Sequence, residues 1–299
     1  MASDCFSFMK SNGITMYYSS GFEEPTIPTN ISNYRNKLYD EMMKLAPRYV
    51  ELIEDNRQPR RRKLMEIVNI EATTIPDAWF QCVSRLLECG FRYEIQHGSF
   101  VGETRIEFDY VTVHIRYPYA DPYDLMLPEI PSHLNIPNPV EPGYVEQYLP
   151  YLMSGEKQPG EDYTYGERLC KVFLGYDEAD GPSYGNQIYY WINVLKETPN
   201  TNQAVLQVAQ PSDCLLEDPP CLRHVDMQVK DGTLIFYSYW RSWDLWNGFP
   251  ANLAGLAVLQ KYMADEIGIK MGPMVASSKS LHLYKYVEEL AKLRTNKSY

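Results

Sequence analysis

Residue types that do chemistry are concentrated in short segments of the C-terminal third of the chain. These segments read DPPCLRH (218–224), YWRSWDLWNGFPANLAG (239–255) and SLHLYKY (280–286). Cys221 follows two prolines, which would hold its thiol rigidly at the start of a predicted strand rather than inside the sheet. A thiol placed there can act as a nucleophile when a nearby cation favours the reactive thiolate. An inert packing thiol is the alternative that this segment alone leaves open.

An arginine and a serine in the second segment are suited to bind an anion. Arg241 offers a planar guanidinium that grips phosphate through paired hydrogen bonds, and Ser242 adds a hydroxyl donor. Asp244 provides the competing explanation, because Arg241 could form an ion pair with it instead. The pattern thus indicates either a phosphate site or a local ion pair.

Polar side chains at Asn252, His282 and Tyr284 could contact other parts of a ligand. Asn252 lies near the start of a predicted apolar helix, where an amide commonly caps the first turn. His282 and Tyr284 alternate on an extended segment, which directs both side chains to one face. They could bind a sugar hydroxyl or merely cover the core.

The elements that must position these residues are strands and helices in irregular alternation. The hydrophobic pattern predicts helices at 77–89, 144–153, 184–195, 251–267 and 285–293, and strands at 105–117, 204–208, 224–229 and 233–239. Lys230, Asp231 and Gly232 have the composition of a tight turn between the last two strands. The order favours an α+β fold, since no regular βαβ repeat is present. The sequence contains neither a GxGxxG fingerprint nor a Walker loop, which argues against classical dinucleotide or nucleoside triphosphate binding.

Length and charge restrict the functions that the chain can perform. The 299 residues, 44% of them hydrophobic, suffice for a substantial core, and 39 acidic against 28 basic residues leave a net charge of -11. That charge offers no positive field for a nucleic-acid backbone, although one nucleotide in a locally basic pocket is compatible with it. The six cysteines form no CxxC pair, and we find no secretory leader and no apolar stretch long enough to cross a bilayer. These features predict a soluble, cytoplasmic protein with free thiols.

A change in composition near residue 64 divides the chain. Residues 1–64 combine prolines and polar residues with a helical pattern at 33–54 and a basic run at 60–63, and we interpret them as an N-terminal extension of unknown role. Residues 65–299 carry the segments singled out above and are predicted to form the catalytic domain.

In this order and spacing, the residues resemble the thymidylate synthase family, which also includes pyrimidine nucleotide hydroxymethylases. A Pro-Cys pair precedes a strand, an RS-x-D-x-x-x-G-x-P-x-N block begins twenty residues after the cysteine, and an H-x-Y pair begins thirty residues after that asparagine. Three matches in the correct order are hard to obtain by chance. The resemblance covers about residues 75–290, and the segments DPPCLR and YTYGERL are similar to the archaeal branch.

The resemblance implies a thymidylate synthase-like α+β fold, in which a large mixed β-sheet packs against helices and two copies dimerise sheet against sheet. It implies reductive methylation of dUMP to dTMP, with 5,10-methylene-tetrahydrofolate or methylene-tetrahydromethanopterin as co-substrate and no metal. The alternative is a 5-hydroxymethylase of dCMP, CMP or dUMP that uses methylene-tetrahydrofolate and water. Asn252 favours the synthase, because family members that act on dCMP carry aspartate at this position.

The resemblance also implies which residues carry out the reaction. Cys221 would add to C6 of the pyrimidine and thereby activate C5 toward a one-carbon unit. Arg241 would lower the pKa of that thiol, and Tyr165 in the YGER turn would help to remove the C5 proton. Glu146 is the candidate for the family's catalytic glutamate.

Phosphate binding is where the chain departs most from the family pattern. Arg241 and Ser242 would hold the phosphate, and Arg105 is a looser match to the family's mobile phosphate arginine. Bacterial and animal members carry two adjacent arginines that reach the phosphate of the partner subunit, whereas this chain has Asn202 and Gln203. That exchange favours the hydroxymethylase alternative.

The remaining implied contacts concern the base, the sugar and the pterin. Asn252 would pair with N3 and O4 of uracil, and His282 and Tyr284 would hold the 3′-hydroxyl of deoxyribose. Asp244 would accept a hydrogen bond from the pterin ring. Leu222 stands where many members have histidine, so we expect a different water network above the base. The final residues, RTNKSY, differ from the apolar, carboxylate-ended tail that closes over folate in the bacterial enzymes, and this difference favours a hydroxymethyl product or a different pterin.

Overall fold

A computed structural model describes residues 64–96, 100–119, 125–131, 133, 136–141, 143–177 and 181–295. All but the last residue of the predicted N-terminal extension lie outside these residues, so its role and its boundary stay predictions. Leu64 begins one compact unit, and this unit contains every candidate site residue.

The described residues form strands and helices in the irregular order that the sequence predicts. The strands are β1 (Ile67–Ala72), β2 (Phe91–Glu94), β3 (Thr104–Glu107), β4 (Tyr110–Ile115), β5 (Val172–Asp177), β6 (Gly181–Gly185), β7 (Val205–Gln207), β8 (Leu222–Lys230), β9 (Thr233–Trp240), β10 (Trp243–Asp244), β11 (Lys270–Ser278) and β12 (Leu281–Tyr284). The helices are α1 (Ile75–Cys89), α2 (Tyr144–Met153), α3 (Tyr165–Cys170), α4 (Gln187–Glu197), α5 (Gly248–Ile267) and α6 (Lys285–Thr295), with a 3₁₀-helix at Pro211–Leu215.

A six-stranded mixed sheet in the order β1-β4-β11-β9-β8-β7 forms the centre of the fold. Strands β1 and β4 pair in parallel, as do β11 and β9, while β4 with β11, β9 with β8 and β8 with β7 are antiparallel. A second sheet has the order β10-β12-β3-β2, and β5 and β6 form a separate pair. The large mixed sheet with helices packed on it confirms the predicted α+β fold class.

Helix α5 is the central apolar helix and positions Asn252. It packs against β9 and β11 and against helices α1, α2 and α4. Asn247 is its N-cap residue, and Gly268 ends it in the left-handed region with φ 85°. Asn252 therefore lies five residues beyond the cap, and the capping explanation for its amide is wrong. Although α5 is largely apolar, neither it nor any other helix in the described part of the chain is long and apolar enough to span a membrane.

The prediction of a single long strand at 105–117 is wrong, because the segment forms two strands. The chain divides at Phe108 and Asp109 into β3 and β4, which belong to different sheets. Phe108 is buried and donates its N–H to the carbonyl of Leu281 at 3.1 Å. The carboxylate of Asp109 accepts the N–H of Glu66 at 2.9 Å. These contacts draw the two halves into separate ladders, which the continuous β-forming composition of the segment does not reveal.

The second sheet brings candidate residues from distant parts of the sequence into register. Arg105 on β3 lies opposite Tyr284 on β12, and Glu107 lies opposite His282. On the other edge of β12, His282 pairs with Asp244 of β10. The division of the predicted strand is therefore what places Arg105 beside the His-x-Tyr pair.

The β8–β9 hairpin joins the nucleophile segment to the arginine segment. Asp231 and Gly232 have φ of 50° and 69°, as a two-residue hairpin turn with left-handed backbone requires, so the predicted turn is confirmed. At the open end of the hairpin, the N–H of Arg241 donates to the carbonyl of Cys221 at 2.9 Å. The twenty-residue spacing between these two residues is thus the length of one hairpin.

Candidate active site

An open pocket of about 400 Å³ is lined by residues of the second sheet and of the open end of the β8–β9 hairpin. Its volume lies in the usual range for small-molecule sites, about 300–1,000 Å³. Most predicted site residues border it: Arg105, Cys221, Arg241, Ser242, Asp244, His282 and Tyr284. The other predicted residues, which are Tyr165, Asn252 and Glu146, are not among its lining residues. The pocket therefore unites segments that the sequence separates by more than a hundred positions.

The Cys221 thiol is partly buried at this pocket. Burial raises its pKa above the ordinary value, while the nearby guanidinium of Arg241 lowers it and the carboxylate of Asp218 raises it. Arg105 also lowers the pKa, but burial remains the largest effect. Arg241 thus lowers the pKa of the thiol in the predicted direction, but burial has the larger effect and the pKa is raised overall.

The guanidinium of Arg241 is already hydrogen-bonded to the loop that precedes the nucleophile. Its Nε donates to the carbonyls of Pro219 and Pro220 at 3.2 Å, and its Nη2 donates to Pro219 and, at 2.9 Å, to the Asp218 carboxylate. The Asp218 side chain is 68% exposed, so a phosphate could displace it. The ion-pair alternative is thus realised, but with Asp218 rather than with the predicted Asp244.

His282 is buried and presents an unused ring nitrogen. Its Nδ1 lies 3.0 Å from the carbonyl of Ser280, while its Nε2 has no hydrogen-bond partner among the described residues. Burial, with a smaller contribution from Arg105, lowers the pKa of His282 to about 3, so the ring is neutral at physiological pH. With the proton on Nδ1, Nε2 is an acceptor suited to a hydroxyl donor. The Tyr284 ring packs edge-on against the imidazole at 4.8 Å, as the alternation of these two residues indicates.

Arg105 is a second cation at the pocket wall. Its Nη2 donates to Ser280 Oγ at 3.3 Å and lies 3.2 Å from the Glu107 carboxylate. Its guanidinium lies 4.9 Å from the centre of the Tyr93 ring. The Nε atom is buried without a hydrogen-bond partner in the described part of the chain. Arg105 is therefore held in place by Tyr93 of β2, Glu107 of β3 and Ser280, which precedes β12.

Asp244 and Ser242 border the same pocket close to Arg241. The Oδ1 atom of Asp244 accepts the N–H of Trp246 at 2.9 Å. Burial raises the pKa of the Asp244 carboxyl, and backbone N–H groups oppose this effect. Because the partly buried carboxylate lines the same pocket as Cys221, a ring N–H of a ligand that reaches it would find a preformed acceptor.

Asn252 lies directly behind the pocket wall and is held by two aromatic residues. Its Oδ1 accepts from the indole Nε1 of Trp243 at 3.0 Å, and its Nδ2 donates to the hydroxyl of Tyr148 at 2.7 Å. Trp243 itself lines the pocket. The sequence analysis does not predict a role for Trp243 or Tyr148. The only sequence signal for Tyr148 is its position two residues after the candidate Glu146.

Tyr165 and Glu146 occupy different environments. The hydroxyl of Tyr165 accepts the N–H of Leu222 at 3.3 Å, and its ring lies edge-on to Trp240 at 6.3 Å. Tyr165 therefore contacts the residue that directly follows the candidate nucleophile. Burial raises the Tyr165 pKa well above its ordinary value, so the hydroxyl is neutral and can orient a neighbouring group through hydrogen bonds. Glu146 is exposed in the first turn of α2. Its catalytic role stays a prediction.

Asn202 and Gln203, which stand where the family has paired arginines, are exposed and are not among the residues that line this pocket. Leu222, the other departure, directly follows Cys221 and donates its N–H to Tyr165.

Arg223 is the arginine nearest the nucleophile in the sequence. Its Nη1 donates to the carbonyl of Pro220 at 3.2 Å and lies 3.5 Å from the Asp213 carboxylate, so its guanidinium already has partners within the chain.

Comparison with known proteins identifies the family to which the chain belongs. The family model for thymidylate synthase matches residues 158–298. A protein of Methanosarcina barkeri named "Putative thymidylate synthase" is 30% identical over 218 residues, which are 73% of this chain and 89% of the relative. The chain belongs to the thymidylate synthase family. This membership confirms the resemblance drawn from the cysteine, arginine and His-x-Tyr segments. The family is one of pyrimidine nucleotide methyltransferases.

Other relatives of the family differ in how much of their length is matched. A protein of the same name from Methanothermobacter thermautotrophicus is 29% identical over 235 residues, covering 75% of this chain and 98% of the relative. A thymidylate synthase of Listeria innocua is 26% identical over 166 residues, half of each chain. The family uses a methylene-tetrahydrofolate type of co-substrate. Among the described residues, no group of three or more His, Cys, Asp or Glu side chains is placed to hold a metal ion.

Proposed function

We propose that this chain is a thymidylate synthase that converts dUMP to dTMP with a methylene-tetrahydropterin. The observation that carries the proposal is the meeting of the Cys221 thiol, the Arg241 guanidinium and the His282–Tyr284 pair at one pocket. A nucleophile, an anion site and a hydroxyl acceptor are the groups that a pyrimidine nucleotide needs for attack at C6.

In the proposed reaction, the Cys221 thiolate forms a bond to C6 of uracil and the displaced electron pair moves to C5. C5 then bonds to the one-carbon unit, a water molecule hydrogen-bonded to the Tyr165 hydroxyl takes up the C5 proton, and the thiolate is finally expelled from C6 once hydride has reached the new carbon. The methylene-tetrahydropterin supplies the carbon and the hydride and leaves as dihydropterin, so no further reductant is required. Burial of the thiol favours its neutral form before substrate binds, and Arg241 opposes this effect.

The pocket offers a plausible place for each part of the reactants. The phosphate would take the Arg241 hydrogen bonds now made with Asp218, with Ser242 adjacent. The deoxyribose 3′-hydroxyl would donate to His282 Nε2. A pterin fits the lining on one count, because the partly buried Asp244 carboxylate lines the same pocket as Cys221 and can accept a ring N–H. Which pterin serves as the natural co-substrate is a matter for assay with both.

The experiment is covalent trapping with 5-fluoro-dUMP and methylene-tetrahydrofolate, followed by intact mass and peptide mapping. We expect a ternary adduct on the peptide that contains Cys221 and no adduct in the Cys221→Ser variant. The matched control is Cys214→Ser, which removes an exposed thiol in the 3₁₀-helix and should leave the adduct unchanged. An adduct elsewhere, or none in the wild-type protein, would reject the proposal.

A pyrimidine nucleotide 5-hydroxymethylase is the second candidate, favoured by Asn202 and Gln203 in place of the family's paired arginines. The two activities differ in product and in the redox state of the pterin. Incubation of dUMP, dCMP, UMP and CMP with methylene-tetrahydrofolate should yield a methylated nucleotide and dihydropterin if the synthase proposal is correct. A hydroxymethylated nucleotide with released tetrahydropterin would favour the second candidate.

We further propose that the protein acts as a cytoplasmic homodimer and does not bind nucleic acid. The family resemblance supports the dimer, and the net charge of -11 argues against a polyanionic partner. Light scattering at micromolar concentration tests the assembly, and a monomeric mass would reject it.

A further inference from the structure

The amide of Asn252 is held in a single orientation by its two partners. An amide presents similar shapes at its oxygen and its nitrogen, so orientation must be decided by hydrogen bonding. The indole Nε1 of Trp243 can only donate, and hence the atom 3.0 Å away must be the Asn252 oxygen. At the other end, Nδ2 donates to the Tyr148 hydroxyl at 2.7 Å. A half-turn of the amide would set two N–H groups against each other at Trp243.

The partners of Asn252 are themselves immobile. Trp243 is 2% exposed and stacks on Trp240 with ring centres 4.3 Å apart and planes 5° apart. Tyr148 is 5% exposed, and its ring lies against the backbone of Gly255. A Cβ atom added at Gly255 would lie 1.9 Å from the Tyr148 ring, so the glycine provides the space that the ring occupies. Gly255 follows Asn252 by one helical turn, which places both on the face of α5 that meets α2.

The fixed amide leaves one donor and one acceptor in a defined order. One N–H of Nδ2 and one lone pair of Oδ1 remain after the bonds to Tyr148 and Trp243 are counted. The pairing edge of uracil needs a donor at O4 and an acceptor at N3–H, whereas cytosine needs the reverse order at N4 and N3. A freely turning amide could pair with either base, but a fixed one matches only one of them.

We infer that Tyr148 and Trp243 are specificity-determining residues, which make the pocket select uracil over cytosine by fixing the amide of Asn252. The inference rests on the proposed function, because dUMP as the substrate decides which base the fixed order serves. Tyr148 and Trp243 act through Asn252, so they are positioning residues. Their loss should therefore change the ratio of affinities for the two bases rather than both affinities equally.

The test measures dissociation constants for dUMP and for dCMP by titration calorimetry of the full-length protein. In Tyr148→Phe the preference for dUMP should fall about 3- to 10-fold, the effect of one lost neutral hydrogen bond, partly through tighter dCMP binding. Tyr148→Phe combined with Trp243→Phe should reduce the preference by about 10- to 100-fold. Gly255→Ala should reproduce the Tyr148→Phe ratio by displacing the ring. The matched control is Tyr144→Phe, the same chemical change one turn earlier on α2, which should leave the ratio unaltered.

The outcomes separate failure of this inference from failure of the proposed function. An unchanged dUMP to dCMP ratio in Tyr148→Phe and in the double variant, with wild-type preference for dUMP, overturns the inference and leaves the proposed function standing. Equal weakening of both nucleotides assigns these residues a merely structural role and also overturns it. A wild-type protein that prefers dCMP, or that binds neither nucleotide, rejects the proposed function and this inference together.

Discussion

The two ends of the candidate pocket are prepared for a ligand in opposite ways. At the proposed base end, the Asn252 amide lies behind the pocket wall, held by Trp243 and Tyr148, and one N–H and one lone pair have no partner among the described residues. At the proposed phosphate end, the Arg241 guanidinium is occupied by the exposed Asp218 carboxylate and by backbone carbonyls of its own loop. If a nucleotide binds as proposed, the amide keeps its protein partners, whereas the guanidinium must exchange Asp218 for the phosphate.

The partly buried amide and the exposed ion pair are therefore suited to different tasks, selectivity and affinity. A preorganised group contributes to selectivity, because little ordering remains to be done when the ligand arrives. An exposed ion pair such as Asp218–Arg241 is weak, about 0–1 kcal/mol, so its exchange for a dianionic phosphate is favourable overall. We therefore expect selectivity to depend on Asn252 and its partners, and affinity to depend on Arg241.

The largest effect is expected from removing the phosphate-binding cation. Arg241→Ala should raise the KM for dUMP about 100-fold, because charge-assisted hydrogen bonds to the phosphate are lost. Steady-state kinetics measures the change. The control is Arg116→Ala, which removes an exposed arginine that does not line the pocket. A KM within twofold of wild type, on the scale of about 0.4 kcal/mol, would show that the phosphate binds elsewhere.

A somewhat smaller effect is expected from changing the base-reading amide. Asn252→Asp should lower kcat/KM for dUMP about 30- to 100-fold, because a carboxylate has no N–H to donate to O4 and leaves that oxygen unpaired. Turnover or binding of dCMP should rise at the same time, since a carboxylate can accept from the cytosine amino group. Parallel assays of both nucleotides check the prediction. Equal loss for both would argue against a base-reading role for Asn252.

A modest gain is expected at the phosphate end when the competing carboxylate is neutralised. Asp218→Asn should lower the KM for dUMP about twofold to fivefold at low salt, the range of an exposed ion pair, and the gain should fade at high salt. Glu217→Gln is the matched control, because it removes the same charge from the adjacent exposed position. If the two variants behave alike, the effect is one of general charge and not of the Asp218–Arg241 contact.

The smallest effect concerns the pH at which the nucleophile reacts. Burial raises the Cys221 pKa while Arg241 lowers it, so the neutral thiol persists to higher pH than usual and the reactive thiolate appears as pH rises through that raised pKa. Alkylation of Cys221 by iodoacetamide should therefore accelerate at alkaline pH. In Arg241→Gln the midpoint should move still higher, which should slow alkylation about twofold at pH 8. Peptide mapping follows Cys221, with the exposed Cys214 in the same sample as reference. A midpoint that does not respond to Arg241→Gln would mean that the two groups are uncoupled.

Much of the site was predictable because its residues lie close together along the chain. Cys221 and Arg241 flank one hairpin, so their spacing of twenty residues follows from the length of β8 and β9. The turn at Asp231 and Gly232 was predictable for the same reason, since turn chemistry is local. The long strand at 105–117 was not divided correctly, because the contacts that divide it come from Glu66 and from the strand at 281.

The family and the proposed roles of Cys221, Arg241 and Asn252 follow from residue type and short spacing, which the sequence carries without a structure. Tertiary structure alone decided which partners act on them. Tyr148 reaches Asn252 across 104 positions, and Arg105 reaches Ser280 across 175. Asp218 is near Arg241 only because the hairpin closes. Such contacts depend on how sheets and helices pack, and no local pattern of residue types encodes a hydrogen bond between elements that meet only in the folded chain.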